Sequence, residues 1–198
     1  LVINGNKLPG KERLVEMLTG VDGIKGMTSI SYSVNQEKTN VIMGKEIVNL
    51  YGPGYITDYI GNVKYQISPL SFYQVNPVQT EIMYKTAIEY AGLGRKETVI
   101  DAYCGIGTIG LVAAKRAKNV IGVELNPDAV RDARINAKEN KITNARFYQG
   151  DAGEFMENMA ENGEHADVVF MDPPRTGSDK KFMSSVIKLN PSRIVYIS

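Results

Sequence analysis

Residues 101–110, DAYCGIGTIG, hold the only cysteine of the chain, Cys104, in a glycine-rich turn between an apolar run and a helical pattern. A thiol at the start of a helix is disposed to ionise and to act as a nucleophile. The same stretch carries Gly105, Gly107 and Gly110 in the spacing G-x-G-x-x-G. Glycines there let the backbone approach a ligand and adopt positive φ, although a tight structural turn explains the pattern too. The next apolar run, NVIGVE, ends in Glu124. A carboxylate at that place accepts both hydroxyls of a ribose, or stabilises the helix that Asn126-Pro127 opens. Turn and glutamate together favour an adenosine-containing cofactor. Asp151, in QGDA, accepts from an adenine amine or caps the helix after it. VVFMDPPRTG sets Asp172 at the end of a fourth run, ahead of two prolines that fix an extended exit.

These residues need a scaffold that brings strand ends together, and the pattern from Ser71 onward supplies one. Asn76-Pro77 opens a helix to about residue 91. Strands then alternate with helices: 98–104, helix 107–117; 119–124, helix 127–140; 145–150, helix 152–161; 167–172, helix 179–189; and a last run, 193–198. Fully apolar strands in strict alternation with helices argue for a doubly wound parallel α/β sheet of five strands. Ligands of such sheets bind at the carboxyl ends of the strands, where Gly105, Glu124, Asp151 and Asp172 stand. Residues 1–70 read as a separate small α+β domain with a helix at 11–20 and strands at 29–34, 46–51, 55–60 and 63–68. The last two are joined by a Gly61-Asn62 hairpin signal. The second domain runs from 71 to 198.

One cysteine and one histidine exclude internal disulfides and leave no Cys/His cluster for a metal. With 43% hydrophobic residues, no apolar run of membrane-span length and no signal peptide, a cytoplasmic protein is expected. A net charge of +1 gives no basic footprint for nucleic acid, and the clusters at Lys115-Arg116-Lys118 and Lys180-Lys181 fit solvated helix faces. The start at Leu1 and the end in a strand-like SRIVYIS suggest a piece of a longer polypeptide.

SFYQVNPVQ (71–79), DAYCGIGTIGL (101–111), GVELNPDAV (122–130), DPPRTG (172–177) and VYIS (195–198), with EKTNVIMG (37–44) from the first part, resemble the S-adenosylmethionine-dependent RNA uracil-5-methyltransferases. The resemblance implies a Rossmann-like class I methyltransferase sheet, cut at its fifth strand and preceded by the family's central domain. It implies S-adenosyl-L-methionine as cofactor, held by Gln74, Tyr103, Glu124 and Asp172, with Gly105 against it and Asp151 a weaker contact. It implies RNA as substrate, ribosomal (23S) by the phrasing around FYQVNPVQT, with transfer RNA as the alternative. Methyltransferases on this sheet that act on exocyclic amines carry an aromatic where Arg175 stands, which argues against an amine acceptor; the resemblance implies carbon 5 of a uridine. The family's nucleophilic cysteine follows the fifth strand, in the position immediately after Ser198, and the cysteine of the glycine turn is not that nucleophile. Cys104 is then a packing residue, and the 198-residue piece is expected to bind cofactor and to be catalytically silent. A nicotinamide-dependent oxidoreductase using the glycine turn, or a non-catalytic RNA-binding protein, are the other readings.

Overall fold

A computed structural model describes residues 1–20, 23–39 and 41–197. It contains two compact units, Leu1–Thr57 with Ile67–Leu70, and Asp58–Gln66 with Ser71–Ser198. In the first unit, β1 (Val2–Ile3) lies parallel to β2 (Ile30–Val34), which pairs antiparallel with β3 (Ile47–Tyr51). Helix α1 (Lys11–Thr19) ends where the Gly20 N–H donates to Glu16 O. Strands β4 (Ile56–Ile60) and β5 (Val63–Ile67) form a hairpin across Gly61-Asn62, whose tip belongs to the second unit.

The second unit is organised by one parallel sheet. Its strands are β6 (Thr98–Asp101), β7 (Asn119–Glu124), β8 (Ala145–Gln149), β9 (Val168–Met171) and β10 (Arg193–Tyr196), in the order β10-β9-β6-β7-β8. Residues in β9 are buried throughout, which accounts for its unbroken apolar run, whereas the edge strands β8 and β10 are mostly exposed or half-buried. The chain builds outward from β6 to β8, then returns to the other side of β6 for β9. That reversal is the place where strand ends diverge and leave room for a ligand. This is an α/β Rossmann-like fold.

Six helices occur among the described residues; besides α1 they are α2 (Pro77–Ala91), α3 (Thr108–Ala114), α4 (Pro127–Glu139), α5 (Ala152–Glu161) and α6 (Lys180–Leu189). Their starts follow capping chemistry: the side chains of Asn76, Asn126, Asp151 and Asp179 each accept a backbone N–H of the first turn. Helix α3 stops three residues short of the expected 117, because Arg116 N closes a tighter turn onto Ala113 O. The apolar faces of α5 and α6 pack Met156, Met159, Phe182, Val186 and Leu189 against Ile100, Val123, Val169 and Met171 of the sheet. No helix among the described residues is long and apolar enough to cross a membrane. Residue 40 of the 37–44 stretch, and Ser198 at the end of the last expected strand, lie outside the described residues.

On the opposite face, Phe147 of β8 packs over Gly122 and Gly107. A Cβ at Gly122 would meet the Phe147 ring at 2.3 and 2.6 Å and the Cys104 sulfur at 3.0 Å. Gly122→Ala should therefore cost about 1–3 kcal/mol of stability by overpacking. Pairing it with Phe147→Leu should recover part of that loss, since neighbouring substitutions couple. Chemical denaturation of both variants checks this, and a fully additive double mutant contradicts it.

Candidate active site

Strands β6, β7, β8 and β9 each carry an acidic residue at the carboxyl end or within two residues of it: Asp101, Glu124, Asp151 and Asp172. Parallel register aligns Asp101 of β6 with Gly122 of β7 and Phe170 of β9, and Glu124 with Gln149 of β8. The turns that follow therefore leave the sheet along the same edge, with β7 running two residues beyond the level of Asp101. A cavity of about 280 Å³ opens there, lined by Ala102 and Tyr103, by Val123 to Leu125, by Gly150 to Ala152, and by Pro174, Thr176, Gly177, Asp179 and Phe182.

Glu124 is held in place by its own backbone surroundings. Its Oε2 accepts the Gly105 N–H at 3.1 Å and its Oε1 accepts the Asn126 N–H at 2.9 Å. A carboxylate oxygen has two acceptor sites, so both oxygens keep capacity for a ligand's hydroxyls. Asp151 caps α5 through Oδ1, bonded to Glu154 N at 2.9 Å, and lines the cavity as well, so capping and ligand contact are compatible. Asp179 does the same for α6, with Oδ1 bonded to Phe182 N at 2.7 Å. The Tyr103 ring stacks on Phe182 at 5.1 Å between centroids, and its hydroxyl pairs with Ser178 Oγ at 3.0 Å.

The three glycines of the turn differ in role. A Cβ at Gly107 would strike Phe147 at 2.9 Å, and one at Gly110 would meet Asp101 Oδ2 at 3.0 Å. Those two glycines are required by packing. Gly105, at φ 51°, has nothing within 4 Å of its Cβ position and presents open backbone.

Cys104 is 2% exposed, and burial, with Asp101 and Glu124 nearby, pushes its thiol well above the usual range. Its S–H faces Gly105 O at 3.6 Å. A buried thiol kept neutral is a poor nucleophile. Packing is its role in this fold.

Of the six residues singled out from the sequence, Tyr103, Glu124 and Asp151 line the cavity, and Gly105 is bonded to Glu124. Gln74 and Asp172 do not line it. Asp172 is half-buried, and burial raises its carboxyl above the ordinary range. It lies near enough to Asp101 to act on that group's charge. Leu125, Thr176, Asp179 and Phe182 line the cavity without having been singled out. Only Asp179 had a readable signal, its position three residues ahead of an apolar helical pattern. Arg175 stands exposed on a turn closed by Gly177 N donating to Pro174 O at 2.7 Å.

Asp101 lies beneath the turn, 1% exposed, with Oδ2 accepting Gly110 N at 2.8 Å and Oδ1 without a partner. Burial pushes its carboxyl up from 3.8 to about 7, against the Gly110 bond and with help from Asp172 and Glu124. The folded state thus holds this proton more tightly than the unfolded chain does. Stability contributed by the group is complete at low pH and declines as pH rises from about 4 to about 7, at up to about 1.4 kcal/mol per pH unit. Asp101→Asn keeps the acceptor for Gly110 and removes that slope. Urea unfolding at pH 4.5 and 7.5 should show the wild type losing more stability than the variant, and equal slopes refute the assignment.

Residues 93–197 match a family described as Methyltransferase domain. An uncharacterized RNA methyltransferase of Clostridium tetani is 46% identical over 198 residues, covering all of this chain and 43% of the relative. One from Enterococcus faecalis is 50% identical over 178 residues, covering 90% of this chain and 39% of the relative. The chain thus spans less than half the length of these relatives. The crystal structure of Pyrococcus abyssi tRNA (uracil-54, C5)-methyltransferase in complex with S-adenosyl-L-homocysteine superposes with a TM-score of 0.76 at 29% identity, over 98% of this chain and 44% of that one. With the family match covering more than half of its length and the sheet, turn and cavity all in its second unit, the chain belongs to the methyltransferase-domain family.

Proposed function

We propose that the protein containing this chain is an S-adenosylmethionine-dependent RNA methyltransferase acting on carbon 5 of a uridine. The charge of the cavity carries the choice of cofactor. Three carboxylates, Glu124, Asp151 and Asp179, line it, and among the described residues no lysine or arginine does. Such a lining suits a ligand made of donors and positive charge: a ribose diol, an adenine amine, an ammonium and a sulfonium. It opposes the pyrophosphate of a nicotinamide dinucleotide, which the glycine spacing alone would have allowed. S-adenosylmethionine supplies an electrophilic methyl group on sulfur when bound.

In this reading Glu124 takes the ribose hydroxyls, fixed by the Gly105 and Asn126 N–H groups so that little side-chain entropy is lost on binding. Asp151 accepts the adenine amine with the oxygen not used in capping. Open backbone at Gly105 lets the ligand lie close. Gln74 and Asp172 serve the methionine end. Tyr103, braced by Phe182 and Ser178, is a wall of the pocket. Cys104 takes no part in the chemistry, and the thiolate that activates the uracil ring comes from the residue after Ser198.

The RNA reading is supported by the names of the relatives. Ribosomal 23S RNA is the substrate the FYQVNPVQT phrasing favours. Transfer RNA is the second reading, favoured by the Pyrococcus abyssi enzyme, which methylates uracil 54 of tRNA by its name. Methylation assays of the full-length protein on each unmodified RNA, read as 5-methyluridine, separate the two. Methylated product at any other base overturns both.

Glu124→Ala should weaken S-adenosylhomocysteine binding by about 1.5–3 kcal/mol, the range for charge-assisted hydrogen bonds. Calorimetry that finds unchanged affinity removes Glu124 from the site. Arg175→Ala should depress methyl transfer and leave cofactor affinity nearly intact, because Arg175 is exposed and absent from the cavity lining. A parallel loss of cofactor binding puts Arg175 in the cofactor site instead.

A further inference from the structure

We propose that Tyr65 of β5 and Asn136 of α4 are positioning residues for the cofactor turn, bracing residues 104–108 from behind in the shape that binds the ligand. The proposal rests on the cofactor reading above.

The turn cannot hold itself. Gly105 at φ 51° and Gly107 at φ 83° are both left-handed, and neither carries a side chain that could pack. Such residues give up the most conformational freedom on ordering, so the turn depends on bonds to its backbone. On the ligand side, the Gly105 N–H is held by Glu124. On the far side, two buried groups reach its carbonyls: Tyr65 donates its hydroxyl to Thr108 O at 2.9 Å, and Asn136 donates Nδ2 to Ile106 O at 3.3 Å. A third, the Tyr84 hydroxyl, pairs with Thr108 Oγ1 at 2.9 Å.

Both positioning residues are 0% exposed. Burial raises the Tyr65 phenol well above its usual value, helped by Tyr84, Tyr73 and Asp101, and so keeps it a donor. Asn136 uses its whole amide: Oδ1 accepts Gln66 N at 2.7 Å, and Nδ2 serves Gln66 O at 3.2 Å together with Ile106 O. One amide thus joins the hairpin strand to the glycine turn. Neither side chain lines the cavity, so each acts on a ligand only through the turn.

One helical turn further on, Asn140 supplies an internal control. Its Oδ1 accepts Lys64 N at 2.9 Å, and its Nδ2 donates to Lys64 O at 2.6 Å and to the backbone Asn136 O at 2.7 Å; none of these bonds reaches the glycine turn. Asn140 holds the hairpin alone; Asn136 holds the hairpin and the turn.

The experiment uses the full-length protein with S-adenosylhomocysteine as calorimetric probe, alongside steady-state kinetics and urea unfolding. Tyr65→Phe deletes one oxygen and keeps the ring. Asn136→Asp keeps the acceptor for Gln66 N and loses the donor to both Gln66 O and Ile106 O. Tyr65→Phe should weaken the probe by about 3- to 10-fold, the loss of one hydrogen bond. KM for S-adenosylmethionine should rise with it while KM for RNA stays level. Asn136→Asp should weaken the probe at least as much. Asn140→Ala should lower the urea midpoint and leave affinity unchanged. The proposal fails if Tyr65→Phe lowers the midpoint without changing affinity, or if Asn140→Ala weakens the probe as much as Tyr65→Phe does. Should Asn136→Asp not fold, Tyr65→Phe against Asn140→Ala decides alone. A wild-type protein that does not bind the probe at all overturns the cofactor reading, and the proposal with it.

Discussion

A buried backbone must have its polar groups satisfied, and residues 104–108 make that requirement acute. Two of the three residues from 105 to 107 are left-handed glycines, which leaves Cys104 and Ile106 as the buried packing side chains of the turn. The Gly105 N–H goes to Glu124, the Gly107 N–H to Cys104 O at 2.7 Å, and the Gly110 N–H to Asp101. Each bond ties the turn to the end of a strand or to itself. The sheet register sets Asp101 opposite Gly122, so Glu124 stands two residues further along β7, and the two carboxyl groups receive the loop at different points. Much of the second unit can be read as the apparatus that makes this one loop rigid on one side and open on the other.

Helix α4 shows the same constraint in its sequence. Asp132, Asn136 and Asn140 recur every four residues and lie on one stripe. Ser71 donates to Asp132 Oδ2 at 2.8 Å, Asn136 pairs with Gln66, and Asn140 pairs with Lys64. An apolar residue at position 136 would leave the half-buried Gln66 N–H and C=O without these partners, at a cost of about 1–3 kcal/mol each. The polar stripe lets a strand dock on a helix with its hydrogen bonds complete. It also explains why the tip of the β4–β5 hairpin belongs to the second unit.

The alternation of strands and helices was legible in the sequence because β6, β7 and β9 are covered on both faces and so must be apolar along their length. Boundaries slipped at α3, where a bond from Arg116 to Ala113 ends the helix early. Glu124 and Asp172 were legible for a related reason: each follows an apolar run, in which a charged residue stands out. Phe182 and Thr176 were not, since they reach the cavity only when α6 folds back over the sheet. Asn136 was hidden most completely. A polar residue between charged neighbours on a helix reads as solvent-facing, and only the position of β5 makes it buried.

The G-x-G-x-x-G spacing illustrates how far a pattern can mislead when its parts are not separated. Gly107 is there to admit Phe147, and Gly110 to admit Asp101, so two of the three glycines answer to packing. Gly105 alone leaves backbone open. A dinucleotide site and this one can therefore share the spacing while binding ligands of opposite charge. The discrimination lies in what surrounds the open glycine. Here Glu124 lies against it, Asp151 and Asp179 stand across the cavity, and Asp101 is buried below with one oxygen unpartnered. Burial first, and then the nearby Asp172 and Glu124, raise the proton affinity of Asp101, so the acidic floor of the turn tends to hold a proton. A cationic, donor-rich ligand meets complementary acceptors on Glu124, Asp151 and Asp179, so the carboxylates around the open glycine select for it and against a pyrophosphate.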